Sequence, residues 1–232
     1  MAYPLIIKDD FFSDPDSIAR IIEEVDYLCS ERQYPGVRTE PLYKINLKLH
    51  VYIAHKLFLL FHDTTPEYYQ MDMRFQKIKP FVEGDKWDKK NLGWIHTDNC
   101  LFGGVIYLDK NPDKDAGTSI YKSKDGFPMQ SHESLDEKEL LHSGELIQLK
   151  LDDRKYYDGY DRLRNQYEET LRISNVYNRL VMIPGDQHHA MTTTGDKERN
   201  TIVFFCFDVK GVSPPEYKPF PPVPIPNHEL YT

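Results

Sequence analysis

Trp94-Ile95-His96-Thr97-Asp98-Asn99 sets an imidazole and a carboxylate two residues apart. On a β-strand, residues i and i+2 point to the same face. An extended backbone here would therefore project His96 and Asp98 side by side into one cavity. About ninety residues on, Gln187-His188-His189-Ala190 supplies further imidazoles. Neighbouring strand residues face opposite ways, so one of His188 and His189 can join the first pair, barring a local bulge. Ten residues after His189 comes Arg199-Asn200-Thr201, a guanidinium and a hydroxyl sharing one strand face. Two imidazoles and one carboxylate on one side of a metal leave its opposite positions open. The bland reading of each residue is a hydrogen-bonded core histidine, a turn aspartate and a solvated arginine. The ordered set weighs against that reading.

Outward from this set, the remaining texture is mostly β. Met71, Met73 and Phe75 alternate, predicting a long strand over 69–81. Strands are expected at 92–97, 103–109, 118–122, 178–184, 187–192 and 199–209. Toward the N-terminus, Leu5-Ile6-Ile7 reads as a short strand. Ser13-Asp14-Pro15-Asp16 opens a helix, with a capping side chain and a first-turn proline, and Ile18, Ile21, Ile22, Val25 and Leu28 continue it. A second helix is expected over 46–62 with Leu47, Val51, Ala54, Leu57 or Phe58, and Phe61 on its apolar stripe. Tyr156, Tyr160, Leu163, Tyr167 and Leu171 form a further stripe, predicting an inserted helix over 153–173. It reads as a surface helix packed on the sheet or as a lid over the site. From Ser213 the chain carries seven prolines, which exclude helix and central strand. That arm either lies along the domain or contacts a second copy, giving a homodimer.

At 232 residues the chain is read as one domain over 1–232: a helical buttress at 1–67, a β core at 68–210 with an insertion at about 123–177, and the proline-rich arm at 211–232. A net charge of −8 argues against a phosphate-gripping nucleic-acid binder. Cys29, Cys100 and Cys206 are odd in number and lack CxxC spacing, which fits free thiols in a reducing, cytoplasmic setting. No basic leader precedes an apolar run, and no stretch of about eighteen apolar residues exists to span a membrane.

The set His96-x-Asp98, His189 and Arg199-x-Thr201 resembles the 2-oxoglutarate/Fe(II)-dependent oxygenase superfamily. Ile106-Tyr107-Leu108-Asp109, Ala116-Gly117-Thr118-Ser119 and Phe204-Phe205-Cys206-Phe207-Asp208 are similar to segments of its prolyl-4-hydroxylase-like branch. The resemblance implies a mainly β fold, a double-stranded β-helix or jelly roll, with N-terminal flanking helices and a helical insertion. It implies Fe(II) on His96, Asp98 and His189, the last favoured over His188 by its spacing to Arg199. It implies the distal carboxylate of 2-oxoglutarate on Arg199, with Thr201 adding a donor. Tyr107 is either the phenol that joins that carboxylate or a core tyrosine, and Thr118 is a further lining candidate. O2 would be the second co-substrate and ascorbate a stimulant. A carboxylate at Asp98, where related halogenases have a small residue, points to hydroxylation. The reaction implied is hydroxylation of a peptidyl residue or small metabolite with release of succinate and CO2. The competing class is a cupin-like metal-binding jelly roll that does not turn over 2-oxoglutarate. The substrate is unspecified by any motif; segments 34–44, 82–93 and 123–145 and the helical insertion are where its selection is expected, with Trp87, Trp94 and Tyr121 as pocket or core aromatics.

Overall fold

The computed structural model describes residues 3–28, 34–124, 153–213 and 215. Two antiparallel sheets face one another. The larger has the order β1-β7-β4-β9-β3-β2, built from β1 (Ile6–Lys8), β7 (Leu180–Pro184), β4 (Phe102–Tyr107), β9 (Arg199–Lys210), β3 (Tyr68–Ile78) and β2 (Val37–Arg38). The smaller has the order β6-β5-β8, from β6 (Tyr167–Ile173), β5 (Thr118–Ser123) and β8 (His189–Met191). Tyr107, Val181 and Ile183 of the larger sheet meet Ile120 and Ile173 of the smaller in one apolar cluster, which joins the two layers.

The outer face of the larger sheet is covered by helices. α1 (Pro15–Glu24) begins where Asp14 accepts a hydrogen bond from the Ser17 amide, with Pro15 in the first turn. It ends earlier than the apolar spacing suggests: Val25 is already extended, and Leu28 instead bridges Arg38. A single turn, α2 (Leu42–Ile45), leads into α3 (Leu47–Phe58), whose N-cap Asn46 accepts from the Leu49 amide. Ile53, Ala54, Leu57 and Phe58 of α3 are fully buried against Met73, Phe75, Ile202 and Phe204 of the sheet. Leu47, expected on the buried stripe, is 61% exposed. Ala54, Leu57 and Phe61 of that stripe are buried; Leu47 lies in the first turn, next to the Asn46 cap.

The expected helix over 153–173 is two elements. α4 (Asp153–Asn165) gives way to β6, which pairs with β5. A spacing of four suits both periods, so Leu163, Tyr167 and Leu171 could not distinguish helix from strand. Pairing with β5 decided, helped by the β-forming Tyr167, Thr170 and Ile173. Tyr160 and Leu163 of α4 pack on Trp94, Tyr121 and Ala190, behind the smaller sheet. The expected strand at 92–97 reduces to bridging contacts, and the one at 187–192 to three residues. β2, β6 and α2 were not expected. Residues 125–152, Cys29 and nearly all of the proline-rich arm lie outside the described residues. Among the described residues, no helix is long and apolar enough to cross a membrane.

Asn91 pins the loop that leads into the His96 segment. Its side chain is fully buried, accepts from the amides of Phe81 (2.7 Å) and Val82 (3.1 Å), and donates to the carbonyls of Val82 and Asp85 (both 2.7 Å). Asn91→Ala strands these four groups together. We expect a loss of about 3 kcal/mol or more in denaturant unfolding, far above the usual effect of a surface substitution.

Candidate metal centre

Backbone pairing brings the ligand candidates together. His96 and His189 exchange both backbone hydrogen bonds, at 3.0 and 2.9 Å. Residues opposed in this way on antiparallel segments carry their side chains on the same face. Gly93 donates to Met191 (2.9 Å) and Asp98 to Gly185 (2.9 Å), so residues 93–98 run alongside 185–191. Asp98, two residues beyond His96, falls on the same side. One ligand atom from each of His96, Asp98 and His189 lies within 4.8 Å of the others. The Asp98 carboxylate is 3.7 Å from His96 Nε2 and 3.4 Å from His189 Nε2.

Each imidazole is oriented by a carbonyl. His96 Nδ1 lies 2.8 Å from the Trp94 oxygen and His189 Nδ1 lies 2.9 Å from the Gln187 oxygen. A carbonyl only accepts, so each Nδ1 carries the proton in the neutral ring. Both Nε2 lone pairs are left for a cation. Ligands 2.0–2.2 Å from one ion stand about 3 Å apart at right angles, so the set needs modest closing to hold one. His188 turns the other way and packs on Tyr167, ring centres 4.8 Å apart. Burial, then the neighbouring His189, lowers its pKa.

Glycine makes the close approach possible at this corner. A Cβ on Gly185 would lie 1.8 Å from the Cys100 carbonyl oxygen and 3.1 Å from that of Asp98. Gly185→Ala must displace residues 98–100. We expect Mn(II) affinity to drop about tenfold or more, read by calorimetric titration beside a circular dichroism check of folding. Unchanged affinity would detach this turn from the metal site.

The three side chains open into a cavity of about 320 Å³ between the sheets, which also reaches Gln76, Thr118, Val203 and Arg199. Arg199, Thr201 and Tyr107 sit together: Tyr107 pairs with Thr201 across β4 and β9, on the inner face. Arg199 is buried, one Nη donating to the Ala116 carbonyl at 3.1 Å, and its Nε has no hydrogen-bond partner. Thr201 Oγ1 is likewise buried and unpaired. The Tyr107 hydroxyl is 2.7 Å from Thr118 Oγ1. Burial depresses the Arg199 pKa, against smaller opposing effects of Tyr107 and Asp109. Burial also raises that of Tyr107. A buried cation with an unsatisfied donor beside an orphaned hydroxyl is a site prepared for an anion.

Of the aromatics considered from sequence, Trp94 lines the cavity, Tyr121 packs behind the smaller sheet and Trp87 is 45% exposed. Sequence reasoning gave no individual role to Arg38, Tyr34, Gln76 or Phe205, all on the cavity wall. Arg38 lies in a segment expected to select substrate, but no motif marks it. Only the pairing of β2 with β3 brings it inward.

Among solved structures, the fold is similar to that of HygX from Streptomyces hygroscopicus with nickel, 2-oxoglutarate and hygromycin B bound. The TM-score is 0.52 at 9% identity, covering 88% of this chain and 82% of that one. The form with nickel and 2-oxoglutarate gives 0.51 at 9% identity, with the same coverage. At such identity the likeness establishes a shared fold and nothing finer. A prolyl-4-hydroxylase from Pseudomonas putida gives 0.41 at 12% identity, covering 89% of this chain and 92% of that one, too loose to place the chain in that branch. No curated protein matches the sequence. A family model does, over residues 1–200, a span that takes in His96, Asp98, His189 and Arg199 but stops short of Thr201. The chain belongs to the family described as "Family of unknown function (DUF6445)".

Proposed function

We propose that this protein is an Fe(II)- and 2-oxoglutarate-dependent dioxygenase, a hydroxylase built on a single double-stranded β-helix domain of the prolyl-4-hydroxylase-like type. One observation carries the reading: two imidazoles and a carboxylate converge in the same cavity as a buried guanidinium whose Nε has no hydrogen-bond partner. His96, Asp98 and His189 would hold the ion, a two-histidine, one-carboxylate set that suits ferrous iron with positions left open. When bound, iron, 2-oxoglutarate and O2 supply oxidative decarboxylation to succinate and CO2 and the transfer of one oxygen atom to a C–H bond.

The chain's own residues do the rest. Arg199 would take the distal carboxylate through its fork, satisfying the orphaned Nε, and Thr201 would donate its free hydroxyl. Tyr107, held by Thr118, would complete that end of the cavity. The carbonyls of Trp94 and Gln187 keep the imidazoles in the ligating tautomer and fix their rings. Val105, Ile183 and Val203 give the cavity an apolar wall beside these polar groups. The HygX structures support the reading, since a protein of the same fold holds nickel and 2-oxoglutarate.

The test is succinate release from 2-oxoglutarate by the full chain under air, with Fe(II) and ascorbate. Slow uncoupled succinate formation that disappears without iron is expected. Tight Fe(II) binding with no succinate, across amino acids, peptides and small metabolites as substrates, would replace this reading with a cupin-like metal-binding protein. Small molecules and peptides are the partners proposed, in a cytoplasmic setting, with the proline-rich arm as a dimer contact.

A further inference from the structure

Arg38 is a second guanidinium in the cavity, and the proposed chemistry gives it no task. It sits on β2 opposite Gln76 of β3, on the inner face. Its Cζ lies 3.8 Å from the centre of the Tyr34 ring and 5.6 Å from that of Phe205, so aromatic faces hold the planar group. Its Nε is buried and has no hydrogen-bond partner. The turn that delivers it is built for the purpose: Gly36 has φ +74, and a Cβ there would lie 2.0 Å from the Lys77 carbonyl oxygen. Nearby carboxylates are already engaged. Asp72 binds Arg74 at 2.9 Å, and Asp98 belongs to the metal cluster. Burial pushes the Arg38 pKa down to about 10, a desolvation that Tyr34, Asp72 and Asp98 only partly offset. The group remains cationic at neutral pH, and a bound anion would relieve that desolvation.

We infer that Arg38 anchors the substrate, and that the substrate carries an anionic group, a carboxylate or a phosphate ester, held beside His96, Asp98 and His189. A carboxylate lying side-on would use Nε and one Nη together. Arg199 and Arg38 then divide the work, one seating the co-substrate and the other the substrate. Calling the bound molecule a substrate rests on the proposed function; the anion site itself does not.

The probes are phenylacetate, phenyl phosphate and neutral phenylacetamide, titrated calorimetrically into the full chain, both metal-free and loaded with Mn(II) and 2-oxoglutarate. We expect one acid to bind about tenfold or more tighter than the amide in both states. Preference for phenylacetate assigns a carboxylate, and preference for phenyl phosphate a phosphate ester. Arg38→Gln should bring the acid down to the level of the amide and leave 2-oxoglutarate affinity unchanged, while Arg38→Lys keeps part of the preference. Equal binding of acid and amide, binding of neither, or loss of 2-oxoglutarate in place of the acid in Arg38→Gln would overturn the inference. The acid-to-amide ratio in the unaltered protein loaded with Mn(II) and 2-oxoglutarate, where Arg199 is already occupied, applies whether or not the variants fold. Failure of Mn(II) and 2-oxoglutarate to bind, with acid preference intact in metal-free protein, counts against the proposed function alone.

Discussion

Alanine at His96, Asp98 or His189 is expected to weaken Mn(II) or Fe(II) binding about 100-fold or more and to remove succinate formation, while the protein still melts cooperatively. Loss of residues that merely orient a ligand already costs 10–100-fold in affinity in metalloenzymes, and these substitutions delete a ligand outright. The fold should survive because the three side chains are partly exposed at a cavity wall and belong to none of the apolar clusters. His188→Ala is the internal control. His188 packs on Tyr167, away from the cluster, so its loss should leave metal affinity within a few fold of the unaltered protein. If His188→Ala removes metal binding and His189→Ala does not, the metal lies on the other face of that strand. Calorimetric titration of each variant decides.

Arg199→Met is expected to act in opposite directions on ligand binding and on stability. The side chains are similar in length, so packing is largely kept. Truncating one member of a buried, hydrogen-bonded charge pair costs about 2–5 kcal/mol, so 2-oxoglutarate affinity should fall about 30-fold or more. Without 2-oxoglutarate, Arg199 is a buried cation whose Nε is unpaired. Exchanging such a charge for a packed apolar side chain is often neutral or stabilising. The ligand-free variant should therefore melt at or above the temperature of the unaltered protein, and added 2-oxoglutarate should no longer raise it. Thermal melts with and without 2-oxoglutarate, in the presence of Mn(II), give both readings. A variant that is destabilised when ligand-free and still stabilised by 2-oxoglutarate would make Arg199 a structural residue, satisfied by Ala116 alone.

Much of the architecture was legible wherever one chemical pattern had one physical solution. The proline and capping aspartate at 14–15 start α1, and the alternation of Met71, Met73 and Phe75 gives β3. Reading failed where two periodicities coincide, as at Tyr167 and Leu171, and where pairing is too sparse to make a full strand, as around His96. The stripe expected over 46–62 held at Ala54, Leu57 and Phe61, which are buried, and failed at Leu47 in the first turn of α3, which is exposed; Ile53, buried beside them, was not on that stripe because the helix is apolar on more than one side.

The identities and spacing of His96, Asp98, His189 and Arg199 were set by the chain itself, because ligand chemistry and the two-residue strand period are local properties. Their meeting at one point was not local. It required residues 93–98 to pair with 185–191, a contact across some ninety positions that depends on Gly185 having no side chain. Arg38 is the sharper case: as sequence it is one arginine among the cations, and the sheet edge beside Gln76 makes it part of a cavity wall. Partial burial leaves its Nε out of reach of water and without a partner, ready for an anion, and burial is a property of the assembled layers, not of any residue's neighbours in the chain.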